Sequence, residues 1–199
     1  MSAVDAAIAA LRAGGLAVIP TDTVYGLAAD GRSEDAARAL YAAKGRSAIQ
    51  PTALLFASVD LLEEHVPELP ARAREIARAL LPGPLTLILP NPGRRFRWLN
   101  EGRPDAVGVR VPVIPGAGGD VLTALGVLVA TSANLPGQRD SRCVEDVPSA
   151  IRERVAAVVD GGELPGTPST VVDLTAAEPG VLREGAVPAR EVLARLTDF

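Results

Sequence analysis

The sequence predicts an α/β fold in which an open, twisted, mixed sheet is flanked by helices. Short apolar runs of strand length alternate with amphipathic helical stretches along most of the chain. Apolar residues make up 48% of the 199 residues and only 3% are aromatic, so buried strands and helices must be built mainly from Ala, Val, Leu and Ile. Proline-rich crossings between the strands argue against a purely parallel, doubly wound order.

The individual elements follow from periodicity and from flanking cap and breaker residues. Apolar residues at helical spacing predict helices over about 4–11, 34–43, 59–65, 70–81, 121–125, 146–155 and 188–196. Short aliphatic runs predict about eight strands, over 16–19, 53–57, 85–89, 106–111, 127–130, 156–160, 169–174 and 181–183. Residues 91–105 and 161–168 lack a period and are predicted as loops. No repeat or linker divides the chain, which predicts a single domain over residues 1–199.

Composition excludes several functional classes. The net charge of −4 argues against binding nucleic acid by bulk electrostatics. One cysteine and one histidine leave no internal disulfide and no His/Cys zinc cluster, and no metal-ligating residue is predicted. His65 lies in an amphipathic helical pattern rather than in a triad, and Cys143 is expected to be a small buried apolar residue. Without a signal segment or a long apolar run, we expect a cytoplasmic protein that does not contact membranes.

Residues 20–27, Pro-Thr-Asp-Thr-Val-Tyr-Gly-Leu, are the first candidate for a functional site. They follow the apolar run 16–19, so a buried strand ends where hydroxyls, a carboxylate and a phenol begin. Pro20 cannot donate to a strand ladder, so pairing is expected to loosen there and leave these groups free for a ligand. The alternative is an ordinary strand exit in which Thr and Asp bond their own backbone.

A second candidate is a set of cations and hydroxyls that could hold an anion. Lys44 and Arg46 flank a glycine at a predicted helix end, and the turns 131–134 and 169–170 are rich in hydroxyls. The chain has neither a P-loop nor a Gly-x-Gly-x-x-Gly pattern between strand and helix, so a nucleotide would bind in another way. The alternative for Lys44 and Arg46 is favourable placement of cations at a helix C-terminus.

Residues 94–98, Arg-Arg-Phe-Arg-Trp, with Arg103 beyond them, interleave cations and aromatic rings as single-stranded RNA sites do. On an acidic chain, the favoured alternative is a solvated loop whose Trp98 packs back on the body of the protein.

Taken together, seven stretches resemble motifs of the YrdC/Sua5 (TsaC) family, and they occur in the same order along the chain as in that family. They span residues 14 to about 186, and seven motifs in order are far more specific than one. The stretches are 20–27, Lys44-x-Arg46, Pro-Gly-Pro-Leu-Thr at 82–86, Val-Arg-Val-Pro at 109–112, Thr-Ser-Ala-Asn at 131–134 with Gly137, Ser-Thr-Val-Val-Asp at 169–173, and Leu-Arg-x-Gly at 182–185.

This resemblance implies a YrdC/RibB-type fold with a large concave, locally positive cavity, in the family's short single-domain form. It implies an L-threonylcarbamoyladenylate synthase that uses L-threonine, bicarbonate and ATP with Mg²⁺ and releases pyrophosphate. It also implies a role in N6-threonylcarbamoyladenosine modification of tRNA, so contact with tRNA or RNA and downstream tRNA-modification enzymes are expected partners.

The resemblance also assigns roles to single residues. Lys44 and Arg46 are expected to act in catalysis by gripping phosphate and the developing carboxylate charge. Substrate contacts are expected from the residues that match the family's other motifs: Thr23, Tyr25, Gln50, Thr86, Arg110, Ser132, Asn134, Ser169, Thr170 and Arg183.

The chain departs from the family's pattern at Ser47, at residues 50–52, at Leu55 and at Ile114, where many relatives carry Pro, Lys/Asn-Pro-Leu, or a histidine. These changes remove polar groups from the expected pocket. Two other hypotheses stand beside the synthase. One is an RNA-binding module that uses the same positive cavity and the loop 94–98, and the other, suggested by Leu55 and Ile114, is a paralogue that takes another carbamoyl or amino-acid substrate.

Overall fold

A computed structural model describes residues 2–45, 52–197 and 199. In this part of the chain the α-helices are α1 (Ala3–Arg12), α2 (Glu34–Lys44), α3 (Val59–His65), α4 (Ala71–Leu80), α5 (Ala117–Leu125), α6 (Ser149–Arg152) and α7 (Ala189–Leu196). The strands are β1 (Ala17–Pro20), β2 (Tyr25–Asp30), β3 (Ala53–Phe56), β4 (Leu85–Pro90), β5 (Ala106–Arg110), β6 (Val127–Ser132), β7 (Ala157–Val158), β8 (Thr170–Asp173) and β9 (Gly180–Arg183). No helix of these residues is long and apolar enough to span a bilayer.

The strands form one open, mixed sheet in the order β7-β1-β2-β6-β3-β5-β4-β8-β9. Neighbours run parallel in the pairs β7–β1, β3–β5 and β4–β8, and antiparallel in the remaining pairs of the described sheet. The predicted fold class, a mixed sheet flanked by helices, is confirmed.

Side-chain caps start three of the helices. The hydroxyls of Ser33 and Ser58 accept hydrogen bonds from backbone N–H groups three residues ahead, as the sequence predicted for α2 and α3. Ser2 and Asp5 form a reciprocal capping box at α1. Gly45, with φ of 66°, ends α2 in the left-handed conformation that glycine adopts without strain.

The backbone conformation predicted for residues 20–27 is wrong. Pro20 does not release the strand: it is the last residue of β1 and lies opposite Tyr25, the first residue of β2. The two strands form an antiparallel hairpin, and the Thr21 N–H closes its turn on the Val24 carbonyl at 3.2 Å. Sequence reasoning missed β2 because Gly and Ala dominate it and have little strand propensity.

Three other predictions need smaller corrections. Residues 91–105 are not simply an exposed loop, because they contain a 3₁₀ turn (Arg97–Leu99) and three buried residues, Asn91, Leu99 and Asn100. The helix expected over 146–155 is only α6, preceded by a 3₁₀ turn (Val144–Asp146). Helix α5 begins at Ala117, four residues before its predicted start.

The two sheet faces are covered differently. On one face, aliphatic side chains from most of the strands pack against Leu40 of α2, Ile76 of α4 and Val192 of α7 in the larger core cluster. The other face is covered by α1 and α5, whose Leu11 and Val121 belong to a second cluster with residues of β1, β2, β3 and β6. This second cluster does not reach β4, β8 or β9, and the functional side chains lie beyond its edge.

Candidate active site

A cavity of about 310 Å³ lies on the second sheet face, beyond the edge of the α1–α5 cluster. Its floor is made by residues of β6, β3, β5, β4 and β8, with alternate residues contributed by β4 and β5. Its wall is made by the β1–β2 turn and by residues 168–169 and 182–183. Six of the predicted site residues line it: Thr23, Thr86, Arg110, Ser132, Ser169 and Arg183.

Arg110, at the end of β5, supplies the cavity's buried cation. Its Nη2 donates to Asp22 Oδ1 at 2.5 Å and lies 3.4 Å from Thr23 Oγ1. Burial raises the pKa of Asp22, and the Arg110 guanidinium opposes that rise. Burial likewise lowers the pKa of Arg110, and the Asp22 carboxylate counters this effect. The hairpin turn is thus attached to the cavity floor by a charged pair.

Two hydroxyls and a second cation form the opposite wall. Thr86 Oγ1 of β4 lies 2.7 Å from Ser169 Oγ, just before β8. Arg183 of β9 donates through Nη2 to the Ser169 carbonyl at 2.9 Å, which holds its guanidinium at the cavity rim. This wall therefore offers paired hydroxyls beneath an exposed positive charge, a combination suited to carboxylate or phosphate oxygens.

Lys44, Ser132 and Asn134 form one cluster that meets the cavity at Ser132. The Lys44 ammonium donates to the Ser132 carbonyl and to Asn134 Oδ1, which also accepts from Ser132 Oγ at 2.6 Å. Asn134 Nδ2 donates to the Gln138 carbonyl at 2.7 Å and fixes the turn after β6. Lys44 lies in the last turn of α2, where the alternative prediction placed it, and its side chain is buried.

Tyr25 and Thr170 point away from the cavity. The Tyr25 hydroxyl donates toward Asp160 Oδ1 (3.1 Å) and the Gly162 carbonyl (2.8 Å), and it accepts from the Gly161 N–H at 2.9 Å. The Thr170 hydroxyl is fully buried and ties the segment 185–187 to β8. Both residues hold the frame of the site in this structure, and their substrate contacts stay a prediction.

The predicted residues Arg46 and Gln50, and the departure at Ser47, lie outside the described residues. The departures at Leu55 and Ile114 are described. Leu55 lies opposite Arg110 in the β3–β5 ladder and is buried in the second core cluster, against which Ile114 also packs. Leu55 therefore brings the apolar cover up to the strand that carries Arg110.

Sequence reasoning missed several lining residues. Asn100 and Asp140 carry polar groups at the cavity, while Ile88, Gly108 and Val171 shape its floor. The strand residues could have been found by period-two alternation, because Gly108 and Ile88 lie two residues from Arg110 and Thr86. Asn100 and Asp140 lie outside the strands and gave no comparable signal.

The remaining candidates have structural roles. Phe96 and Trp98 form an edge-to-face pair 5.7 Å apart and pack on the larger core, while Arg95 is paired with Glu68 and Arg103 with Asp173. The packed-back alternative is therefore right for Trp98, and an RNA-binding module is not favoured.

His65 and Cys143 have no place in the cavity. His65 Nδ1 lies 2.9 Å from the Leu61 carbonyl, and the imidazole ring packs beside Phe56 at the edge of the core. Cys143 is half-buried, not buried as predicted. Within the described ranges, no three His, Cys, Asp or Glu side chains are grouped closely enough to hold a metal ion.

Comparison with known proteins gives a consistent picture. The family model Sua5/YciO/YrdC, described as "Telomere recombination", matches residues 9–185. The threonylcarbamoyl-AMP synthase of Halorhodospira halophila is 39% identical over 78% of this chain and 81% of its own length. The threonylcarbamoyl-AMP synthase of Pyrococcus abyssi is 36% identical over 92% of this chain, which spans 54% of that relative's length.

A solved structure shows the same architecture. The crystal structure of P. abyssi Sua5 complexed with L-threonine aligns with a TM-score of 0.87 and 34% identity, over 98% of this chain and 58% of that one.

Proposed function

This chain belongs to the Sua5/YciO/YrdC family, and on that premise we propose that it makes threonylcarbamoyl-AMP and pyrophosphate from L-threonine, bicarbonate and ATP. The observation that carries the proposal is the cavity itself. Arg110, Arg183 and the Thr86–Ser169 hydroxyl pair surround one space, on a chain 34% identical to a Sua5 structure holding L-threonine.

The first chemical step is formation of a carbamate. The carboxylate of threonine binds the Arg110 guanidinium, and the Thr86–Ser169 hydroxyls supply directional hydrogen bonds beside it. The bound ammonium loses a proton to solvent, and the neutral amine attacks the carbon of bicarbonate. A C–N bond forms, a C–O bond breaks, and the departing hydroxide leaves as water with a proton from the nitrogen. The substrate supplies its own nucleophile, so the protein has only to position the reactants and stabilise negative charge.

The second step is transfer to the nucleotide. A carbamate oxygen attacks the α-phosphorus of ATP, the bond to the bridging oxygen breaks, and pyrophosphate leaves. Arg183 at the rim and Lys44 beside Ser132 are the described cations that fit the phosphates, and Arg46 completes the proposed set. Mg²⁺ enters as part of the MgATP substrate, because it is commonly held through phosphate oxygens and waters.

The product defines the proposed partners. Threonylcarbamoyl-AMP carries an activated carbamoyl group, and we propose that downstream tRNA-modification enzymes transfer it to tRNA to give N6-threonylcarbamoyladenosine.

The decisive experiment incubates the protein with L-threonine, bicarbonate and MgATP and follows the adenylate by mass spectrometry and pyrophosphate by a coupled assay. We expect both products to depend on threonine and bicarbonate. Absence of threonine-dependent pyrophosphate release from folded protein contradicts the proposal. A parallel screen of other amino acids tests the paralogue hypothesis, which predicts faster release with a substrate other than threonine.

A further inference from the structure

Asp22 and Arg110 form an ion pair unlike the others in the described chain. Their side chains are 8% and 11% exposed, whereas every other ion pair of the described residues has a partner that is at least 40% exposed. A buried pair is costly to desolvate and is weak evidence for stability. A role in the adjacent cavity is a better reason for its presence.

The pairing leaves part of each group unused. The bond joins Arg110 Nη2 to Asp22 Oδ1, while Asp22 Oδ2 and Arg110 Nε are buried without a hydrogen-bond partner among the described residues. Arg110 lines the cavity and Asp22 lies behind it, outside the lining. Asp22 therefore does not touch a ligand in the cavity. Its negative charge is separated from the ligand by the Arg110 guanidinium, in a poorly solvated site where electrostatic interactions are stronger than in water.

An α-amino acid carries two charges that such a pair can distinguish. The ammonium nitrogen is only two covalent bonds, each of about 1.5 Å, from the carboxyl carbon. A carboxylate on Arg110 therefore places the ammonium within the field of Asp22. A simple carboxylate gains the attraction of Arg110 but also meets the repulsion of Asp22, with no ammonium to compensate.

We propose, building on the proposed synthase function, that Asp22 is a specificity-determining residue that selects zwitterionic amino acids over plain carboxylates at Arg110. Arg183 adds a second positive charge near Arg110. Without Asp22, neither Arg110 nor Arg183 would have an ion-pair partner among the described residues to offset its attraction for a small organic anion. With Asp22, the amine of the substrate becomes part of what is recognised before it reacts.

The test compares two ligands on one protein by isothermal titration calorimetry: L-threonine and 3-hydroxybutyrate, which keeps the carboxylate and hydroxyl but lacks the amine. Wild type is expected to bind threonine at least about tenfold more tightly. D22N is expected to shrink that ratio about tenfold, mainly because 3-hydroxybutyrate binds more tightly once the charge of Arg110 is no longer offset.

Two further variants sharpen the result. Asp60→Asn makes the same charge change on α3, outside the cavity lining, and is expected to leave the ratio within about twofold. Asp22→Ser repeats the loss of charge if D22N folds poorly, and the ratio of two affinities in one sample does not depend on the folded fraction. An unchanged ratio in both Asp22 variants, or an equal fall of the ratio in D60N, overturns the proposal.

The outcome also separates this inference from the proposed function. Adenylate synthesis by wild type together with an unchanged ratio in the Asp22 variants overturns only the role of Asp22. If wild type binds no threonine and makes no adenylate, both proposals fail.

Discussion

The sheet face that packs against α1 and α5 is apolar and covered at one end, and polar and open to the cavity at the other. At the covered end, the strand side chains that contact α1 and α5 include Ile19, Ala28 and Leu128, and all three are fully buried. Beyond the edge of these helices, the same face carries Arg110 and Thr86 around a cavity. The boundary runs between Leu55 and Arg110, which lie opposite each other in the β3–β5 ladder, and along β6, where Leu128 is covered and Ser132 lines the cavity.

This contrast shows how the fold separates stability from function. Apolar area removed from water stabilises the covered end by roughly 25 cal/mol per Å². The uncovered end keeps polar side chains in place through paired bonds such as Asp22–Arg110 and Thr86–Ser169. Substitutions at the covered end should therefore change folding, and substitutions at the cavity end should change chemistry.

The largest effect is expected from Arg110→Met, which removes the guanidinium and keeps an unbranched side chain. We expect kcat/KM for threonine to fall about 1000-fold, the range for truncating one member of a buried charge pair, while the far-UV circular dichroism is unchanged. A loss below about tenfold in steady-state assays would place the carboxylate elsewhere.

The same variant gives a pH prediction for stability. Burial raises the pKa of Asp22 above its ordinary value of 3.8, so the folded state loses stability as pH rises through the raised pKa. Removing the guanidinium takes away the group that opposes this rise. The difference in Tm between wild type and the variant should therefore grow between about pH 4 and pH 7, and a constant difference would contradict it.

Next in size is Leu128→Ala at the covered end. The side chain of Leu128 points from β6 into the cluster under α1 and α5 and is fully buried. Because the substitution leaves a cavity there, the free energy of unfolding should fall by about 2–5 kcal/mol in urea denaturation. Turnover per folded molecule, measured well below the Tm, should stay within about twofold of wild type. A large loss of turnover in folded protein would show that the two ends are coupled.

Thr86→Val should have a moderate effect confined to the cavity. It removes the hydroxyl that meets Ser169 Oγ at 2.7 Å, so KM for threonine should rise about fivefold, equivalent to about 1 kcal/mol. Thr197→Val, at an exposed position after α7, is the matched control and should match wild type. Equal KM values for the two variants would remove Thr86 from the site.

The smallest effect is expected at a position that belongs to neither end. Arg78 of α4 is half-exposed and pairs with Asp60 and Glu63 of α3. Arg78→Gln should change the free energy of unfolding by less than about 1 kcal/mol and leave kcat/KM unchanged. A larger change in thermal denaturation at low salt would show that this surface network contributes more than such pairs usually do.

The sequence predicted the alternation of elements well but not which neighbour in a motif faces the cavity. Thr23 and Tyr25 belong to one motif, yet Thr23 lies in the hairpin turn beside Arg110 while Tyr25 points to Asp160. Ser169 and Thr170 are adjacent, and alternation along β8 sends Ser169 to the cavity and Thr170 into the frame. Such directions depend on strand register, and strand β2 could not be recognised from its small residues.

The Asp22–Arg110 pair was the least predictable part of the site. The two residues are far apart in the sequence, and no local pattern relates a hairpin turn to the end of β5. Lys44 illustrates the same difficulty, because its position at the end of α2 was clear but its burial depends on the turn after β6.

Thr170 and Gly185 hold the segment that follows β9 against β8. The Thr170 hydroxyl accepts from the N–H groups of Gly185 and Val187, and a Cβ at Gly185 would lie 2.1 Å from the Pro168 carbonyl oxygen. The backbone that follows Arg183 is therefore held against β8, next to Ser169. The amide protons of Gly185 and Val187 should exchange with deuterium as slowly as those of β8, so this side of the cavity should keep its backbone conformation when a ligand binds.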